Sequence, residues 1–222
     1  MRIIKRGHAC VDVQARGARV LIDPGSFSDV PEPSGIDAVV LTHAHGDHAA
    51  PELLRRVLSE SPSATVFAQA STLDAVAQVT EELGTAVTTV AGGDSLKTAG
   101  TALMFTGGRH APVHRSFDAG DNVGVLVDGT LYHPGDSFTV PEDPVPVLAL
   151  PVSGPWLKVG EVLDFLTAVR PSQIVPIHEV FLSEVGMGSV LGQIERVAAE
   201  WGGRVLAPAD GDSLLVGPAA SL

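Results

Sequence analysis

The segment Thr42-His43-Ala44-His45-Gly46-Asp47-His48 constrains this chain more than any other. It follows Ile36-Asp-Ala-Val-Val-Leu-Thr42 directly, an almost unbroken apolar run that reads as a strand buried on both faces. A strand end fixes the entry to a tight loop, and Gly46 is expected to give the backbone room to turn. His43 and His45, two apart, can point the same way in an extended segment, while Asp47 and His48 face a second position. Such a cluster suits two divalent ions roughly 3.5–4 Å apart rather than one. Neutral imidazole favours zinc, and the carboxylate adds a hard oxygen that manganese or iron also accepts. With 8 His in 222 residues, three of them beside an Asp in so short a window are not what an ordinary polar loop holds.

One loop cannot close a site. Further candidates stand at the ends of expected strands: His110 in Gly107-Gly-Arg-His110, Asp136 in His133-Pro-Gly-Asp136, and His178 in Val175-Pro-Ile-His178. His114, four residues after His110, is the rival for its role. The Pro-Gly before Asp136 makes a tight turn that aims its side chain.

The rest of the chain alternates short elements. Strands are expected over 2–5, 8–13, 18–23, 36–42, 65–68, 87–90, 95–98, 101–106, 122–127, 130–133, 145–150, 173–177, 204–206 and 213–216. Helices are expected over 51–60, over 71–83 with Ser71 or Thr72 as cap, over 158–169 and over 189–201. Asp128-Gly129 marks a hairpin. Ala91-Gly-Gly-Asp-Ser-Leu96 echoes Ala209-Asp-Gly-Asp-Ser-Leu214, which hints at two β-rich halves packed as a sandwich. A 45% hydrophobic share can build a core without staples, and the single cysteine excludes a disulfide framework and Cys-rich zinc modules. The net charge of −12 repels phosphate backbones, so no nucleic-acid partner is expected. No apolar run reaches membrane-spanning length and no signal peptide is visible. A cytoplasmic location is the expectation.

With these residues in view, the sequence resembles the metallo-β-lactamase-fold hydrolases. The match runs through His43-x-His45-x-Asp47-His48, His110, Asp136 and His178 in order. Gly7-His8-Ala9, Leu21-Ile-Asp-Pro24, Tyr132-His-Pro-Gly-Asp-Ser137 and Val175-Pro-Ile-His178 look like the branch of ascorbate-6-phosphate lactonase-like and uncharacterised metal-dependent hydrolases. The resemblance implies one metallo-β-lactamase-like domain over 1–222, an α+β four-layer αββα sandwich. It implies that His43, His45 and His110 hold one divalent ion and that Asp47, His48 and His178 hold another. Asp136 would bridge them together with a water, whose lowered pKa supplies hydroxide at neutral pH. Asp47 would accept or relay a proton.

Three residues are expected near that centre without being ligands. His8 is a contact to ligands or substrate, or a capped strand-end residue. His133 lines the pocket or bonds inside the sandwich. Trp156 is a pocket wall or a core residue. Asp23 either orients a ligand imidazole or is a turn Asp before Pro. Arg109 and Arg115 flank the His110 region, and Cys10 is a packing residue. The expected activity is hydrolysis of a small, anionic ester, lactone or phosphoester. A nucleic-acid phosphodiesterase of the same superfamily and a metal-binding, non-catalytic scaffold are the alternatives. The partner is a small-molecule substrate with no membrane involved, and a homo-oligomer is compatible with the sequence.

Overall fold

Apolar residues in this chain arrive in short strands with both faces hydrophobic, and such strands need covering on both sides. The computed structural model, which describes residues 1–217, meets that need with two facing sheets and a helical layer outside each. The first sheet has the order β14-β1-β2-β3-β4-β5-β6. It uses β1 (Arg2–Lys5), β2 (Val11–Ala15), β3 (Ala18–Ile22), β4 (Ala38–Val40), β5 (Thr65–Ala68), β6 (Ala86–Thr89) and β14 (Ser213–Leu215). The second has the order β13-β12-β11-β10-β9-β8-β7. Its strands are β7 (Ser95–Thr98), β8 (Thr101–Thr106), β9 (Gly124–Val127), β10 (Leu131–His133), β11 (Val147–Pro151), β12 (Gln173–Ile177) and β13 (Arg204–Val205).

Both sheets follow one plan. Four strands pair antiparallel (β14-β1-β2-β3 and β7-β8-β9-β10), and three more add in parallel (β4-β5-β6 and β11-β12-β13). The sequence echo falls on equivalent places in this plan. Asp94 and Asp212 each accept a bond from the backbone N–H three residues back, at 2.8 and 3.2 Å, and open the edge strands β7 and β14.

Side-chain alternation sorts the core into three clusters. Val20, Ile22 and Val40 face Val125, Val147 and Ile177 between the sheets. Their neighbours Leu21, Val39 and Leu41 point outward against Leu54, Val57 and Val76 of α1 (Pro51–Glu60) and α2 (Ala70–Glu82). On the far side, Leu148 and Leu150 meet Val162, Phe165, Val190 and Ile194 of α3 (Val159–Val169) and α4 (Glu184–Ala198). Three apolar seams make four layers, the expected αββα sandwich. Among the described residues no helix is long and apolar enough to cross a membrane.

Three local expectations are corrected. The strand expected from His8 starts only at Val11, because Gly7 (φ +96°) and His8 (φ +50°) form a turn closed by Cys10 N–H on the Gly7 carbonyl at 2.9 Å. Helix α2 begins at Ala70 after Gln69, with no side-chain cap, and Ser71 hydroxyl instead donates to Asp121 at 2.6 Å. Helix α4 starts at Glu184, five residues before the expected Ser189. Gly186 and Gly188 weaken its first turn as a sequence signal, but Ser183 caps it by accepting from Gly186 N–H at 3.2 Å.

Candidate metal centre

The parallel strands of both sheets end on one rim, and the expected side chains hang from those ends. After β4, Leu41 N–H pairs with the Phe67 carbonyl at 3.0 Å and the Thr42 carbonyl accepts from Val123 N–H at 2.9 Å. The chain then turns tightly, with the N–H groups of His48 and Ala49 both donating to the His45 carbonyl at 2.9 and 2.8 Å. The glycine this loop needs is Gly25, not Gly46. A Cβ on Gly46 would touch nothing, whereas one on Gly25 would lie 1.6 Å from the Asp47 carbonyl oxygen. Pro24-Gly25 is the floor on which the loop rests.

Asp23 lies beneath the same loop, fully buried, with φ +50°. Its carboxylate accepts from Thr42 N–H at 2.8 Å, Thr42 O–H at 2.7 Å and His48 Nδ1–H at 2.7 Å. Because the Thr42 hydroxyl spends its proton on Asp23, its oxygen accepts from His43 Nδ1, 3.1 Å away. Asp23 therefore fixes two imidazoles, one directly and one through Thr42, and turns the Nε2 of each toward the rim. This resolves the two readings of Asp23 in favour of orientation.

The second sheet supplies the remaining groups. His110 follows β8 and turns its Nδ1–H to the Ala111 carbonyl at 2.6 Å. Asp136 follows Gly135 (φ +63°), where a Cβ would come within 2.3 Å of Asn122 Oδ1. Asn122 is fully buried: it accepts from Asp136 N–H at 2.9 Å and donates to the Pro134 carbonyl at 2.9 Å. His178 ends β12 in the left-handed region (φ +62°), its N–H held by the His8 carbonyl at 3.1 Å.

These ends converge into two groups whose donor atoms lie within 4.8 Å of one another. One is His43, His45, His110 and Asp136; the other is His8, Asp47, His48 and His178. The Asp136 carboxylate stands between them. Its oxygens lie 3.3 Å from His110 Nε2, 3.2 Å from His48 Nε2 and 3.2 Å from His178 Nε2. Yet His48 Nε2, His110 Nε2, His178 Nε2 and Asp136 Oδ1 are all buried without a hydrogen-bond partner. An unpaired buried polar atom costs about 1–3 kcal/mol, so four of them clustered around the Asp136 carboxylate mark a place for ligands. Donors bonded tetrahedrally at zinc distances stand about 3.3 Å apart, which is the spacing seen here. The residues present therefore fit divalent cations.

Electrostatics separates the imidazoles. Burial pushes His43 well below the ordinary imidazole range, and pushes His45 and His8 down. Burial also works to depress His48, but the Asp136 and Asp23 carboxylates on either side outweigh it and hold it well above that range. Burial would raise the two carboxylates, and is overcome at Asp136 by His48, His110 and His178 and at Asp47 by His8 and His48, so both stay low.

The structure brings together His43, His45, Asp47, His48, His110, Asp136 and His178, and adds His8. His8 is buried, with Nε2 3.3 Å from Asp47 Oδ2 and its ring 3.9 Å from that of His178. Trp156 is buried and donates Nε1–H to Asp136 Oδ2 at 2.7 Å, so it holds the central carboxylate rather than a pocket wall. His133 does not line the pocket: its Nε2 bonds the Ala9 carbonyl at 2.8 Å and its Nδ1 accepts from Gly135 N–H at 3.1 Å. It ties the His8 turn to the Asp136 turn. His114 is exposed and bonds Ser116, Arg109 pairs with Asp118 on the surface, and Cys10 is buried packing. A lone Asn ahead of a strand carries no sequence signal, and Asn122 has its role only where the Asp136 turn closes on it.

Comparison with known proteins agrees with this fold. Residues 2–178 match the family model described as a beta-lactamase superfamily domain. The Mycobacterium tuberculosis protein Rv0786c is 34% identical over 200 residues, covering 87% of this chain and 91% of its own. A protein of Aeropyrum pernix described as a UPF0173 metal-dependent hydrolase is 26% identical, covering 80% of this chain and 81% of its own. Among solved structures, Igni18, described as a novel metallo hydrolase from Ignicoccus hospitalis, superposes with a TM-score of 0.72 at 20% identity, covering 96% of this chain and 97% of its own.

Proposed function

The chain belongs to the beta-lactamase superfamily domain family and has the metallo-β-lactamase fold, and from that premise we propose that it is a hydrolase working with two divalent cations on a small ester, lactone or phosphoester. The observation that carries the reading is the Asp136 carboxylate set between two His-rich donor groups, with four buried donor atoms left unpaired. The Aeropyrum relative and Igni18, described as a metal-dependent hydrolase and a metallo hydrolase, support the metal-dependent hydrolase part of the reading. His43, His45 and His110 would hold one cation, Asp47, His48 and His178 the other, with Asp136 shared. Imidazoles with two carboxylates favour zinc, and manganese or iron accept the same donors. When bound, such a pair lowers the pKa of a shared water and steadies the oxyanion of the substrate.

The chain's own residues do the rest. Asp23, Thr42 and the Ala111 carbonyl set the tautomers of His48, His43 and His110. Trp156 and Asn122 hold Asp136 in place. Asp47, half-buried and 3.3 Å from His8 Nε2, would relay a proton between the attacking water and the leaving group. Elemental analysis tests the reading. Near two equivalents of zinc, manganese or iron, with hydrolysis lost in chelator, supports it. Less than one equivalent, with no rebinding, overturns it.

A further inference from the structure

Past Phe181 from the second donor group lies an open apolar groove of about 480 Å³ that the donor chemistry leaves unused. Its wall is Val152, Leu157, Val159, Phe181, Leu182 and Val190, drawn from the loop after β11, α3, the loop after His178 and α4. Among the lining side chains one polar atom lacks a partner, the buried hydroxyl of Ser153. The volume lies within the range of small-molecule sites, which are mostly apolar with a few placed polar groups.

Phe181 is the wall shared with the donor groups. Its ring centroid lies 6.0 Å from that of His178 and 5.7 Å from that of His8, and the side chain is 58% exposed. Phe27, 47% exposed, meets it edge-on at 6.1 Å and lies 5.3 Å from His8. Two aromatic rings left open to water at the mouth of a polar centre add nothing to the core; they offer a surface to an apolar ligand. The opposite side of the mouth is different in kind. There a recess of about 260 Å³ beside His43 and His45 is lined by Ser71, Arg109, Asp118 and Asp121, already paired as Arg109–Asp118 and Ser71–Asp121.

We propose that the substrate is a carboxylic ester with an apolar acyl chain, the chain lying in the groove beyond Phe181 and the carbonyl at the donor groups. The proposal rests on the hydrolase reading and names its substrate class. In the reaction, the oxygen of water bonds to the acyl carbon, the bond from that carbon to the alcohol oxygen breaks, and the alcohol leaves with the proton.

The test pairs turnover with binding. Metal-loaded protein is assayed on p-nitrophenyl acetate, butyrate and octanoate, with a simple lactone and p-nitrophenyl phosphate alongside, and its affinities for acetate and octanoate are measured by calorimetry. Each methylene buried should raise kcat/KM, and tighten binding, by about fourfold. Phe181→Asp, at an exposed position, and Leu182→Trp, which puts a larger ring into the lining, should each flatten both gradients. A flat or falling ester series with turnover intact overturns the acyl-chain site and leaves the hydrolase reading standing. So does a gradient that survives both substitutions. If no ester, lactone or phosphoester is turned over, the hydrolase reading fails, and equal affinities for acetate and octanoate then overturn the groove as well.

Discussion

Asp23→Asn isolates the orienting role of one buried carboxylate. Asn tolerates the left-handed backbone found at Asp23, so the main chain is preserved. Three donors converge on the wild-type carboxylate: Thr42 N–H on one oxygen, Thr42 O–H and His48 Nδ1–H on the other. An amide has one acceptor oxygen and one donor nitrogen. Without cations, the Asn oxygen takes Thr42 N–H and the Asn nitrogen donates to His48 Nδ1: with one of its two flanking carboxylates gone, His48 gives up the Nδ1 proton and keeps the Nε2–H that faces Asp136. Cation binding needs the Nε2 lone pair, so Nδ1 must regain its proton and the amide must flip. Thr42 N–H is then left facing an NH₂ group, a buried unsatisfied donor costing about 1–3 kcal/mol. The cost therefore appears in metal affinity, roughly 10- to 100-fold, which matches the usual effect of losing a carboxylate behind a ligand imidazole. The group containing His48 should weaken more than the one containing His43, which feels Asp23 only through Thr42. Competition against a chromophoric chelator reads both affinities, and urea melts of the metal-free protein serve as the control. Both cations binding within threefold of wild type would refute the orienting role.

Asp136→Asn should lower metal content and cut hydrolysis by two orders of magnitude or more while the metal-free fold persists, because the bonds to Asn122 and Ala111 use Asp136 backbone atoms. Unchanged turnover would show that Asp136 does not join the two groups. Gly25→Ala would drive a methyl against the backbone carbonyl of Asp47 and the N–H of His48. It should cost about 1–3 kcal/mol and reduce metal content, read by thermal melting and elemental analysis, whereas Gly46→Ala should do neither. Acidification should empty the two groups in order. His48 is raised by its flanking carboxylates and holds its proton to higher pH, while buried His43 stays neutral to lower pH, so the cation on His48 leaves first as pH falls. Simultaneous release between pH 8 and 5, followed by elemental analysis of the dialysed protein, would contradict this.

What the sequence reveals depends on whether a residue acts locally. The His43–His48 window, the Pro-Gly ahead of Asp136 and the strand before His178 are local patterns, and the structure brings all these residues to one rim. Strand alternation likewise separates Leu21, Val39 and Leu41 from Val20, Ile22 and Val40 without any knowledge of tertiary contacts. The failures are residues whose roles exist only after distant segments meet. Gly25 matters because Asp47 passes over it, Asn122 because the Asp136 turn closes on it, and His133 because the His8 turn abuts it. Two glycines hide the first turn of helix α4 from a periodicity reading, although Ser183 caps it.

The placement of the donors couples the site to the whole fold. His43 and His45 come from the first sheet and His110 and Asp136 from the second; His8, Asp47 and His48 come from the first and His178 from the second. Neither sheet holds a complete group, so each cation would tie the two sheets together across their shared core. In the unfolded chain only the 43–48 window keeps its donors close. Cations should then bind the folded state with strong preference and stabilise it by mass action, about 4 kcal/mol when the free ion is at a thousand times its dissociation constant. For a chain of this length that corresponds to roughly 8–16 °C in Tm. The increment should shrink in Asp136→Asn and vanish with chelator. A melt indifferent to added zinc, manganese and iron, in protein proven by analysis to carry them, would mean that the donors do not clamp the two sheets.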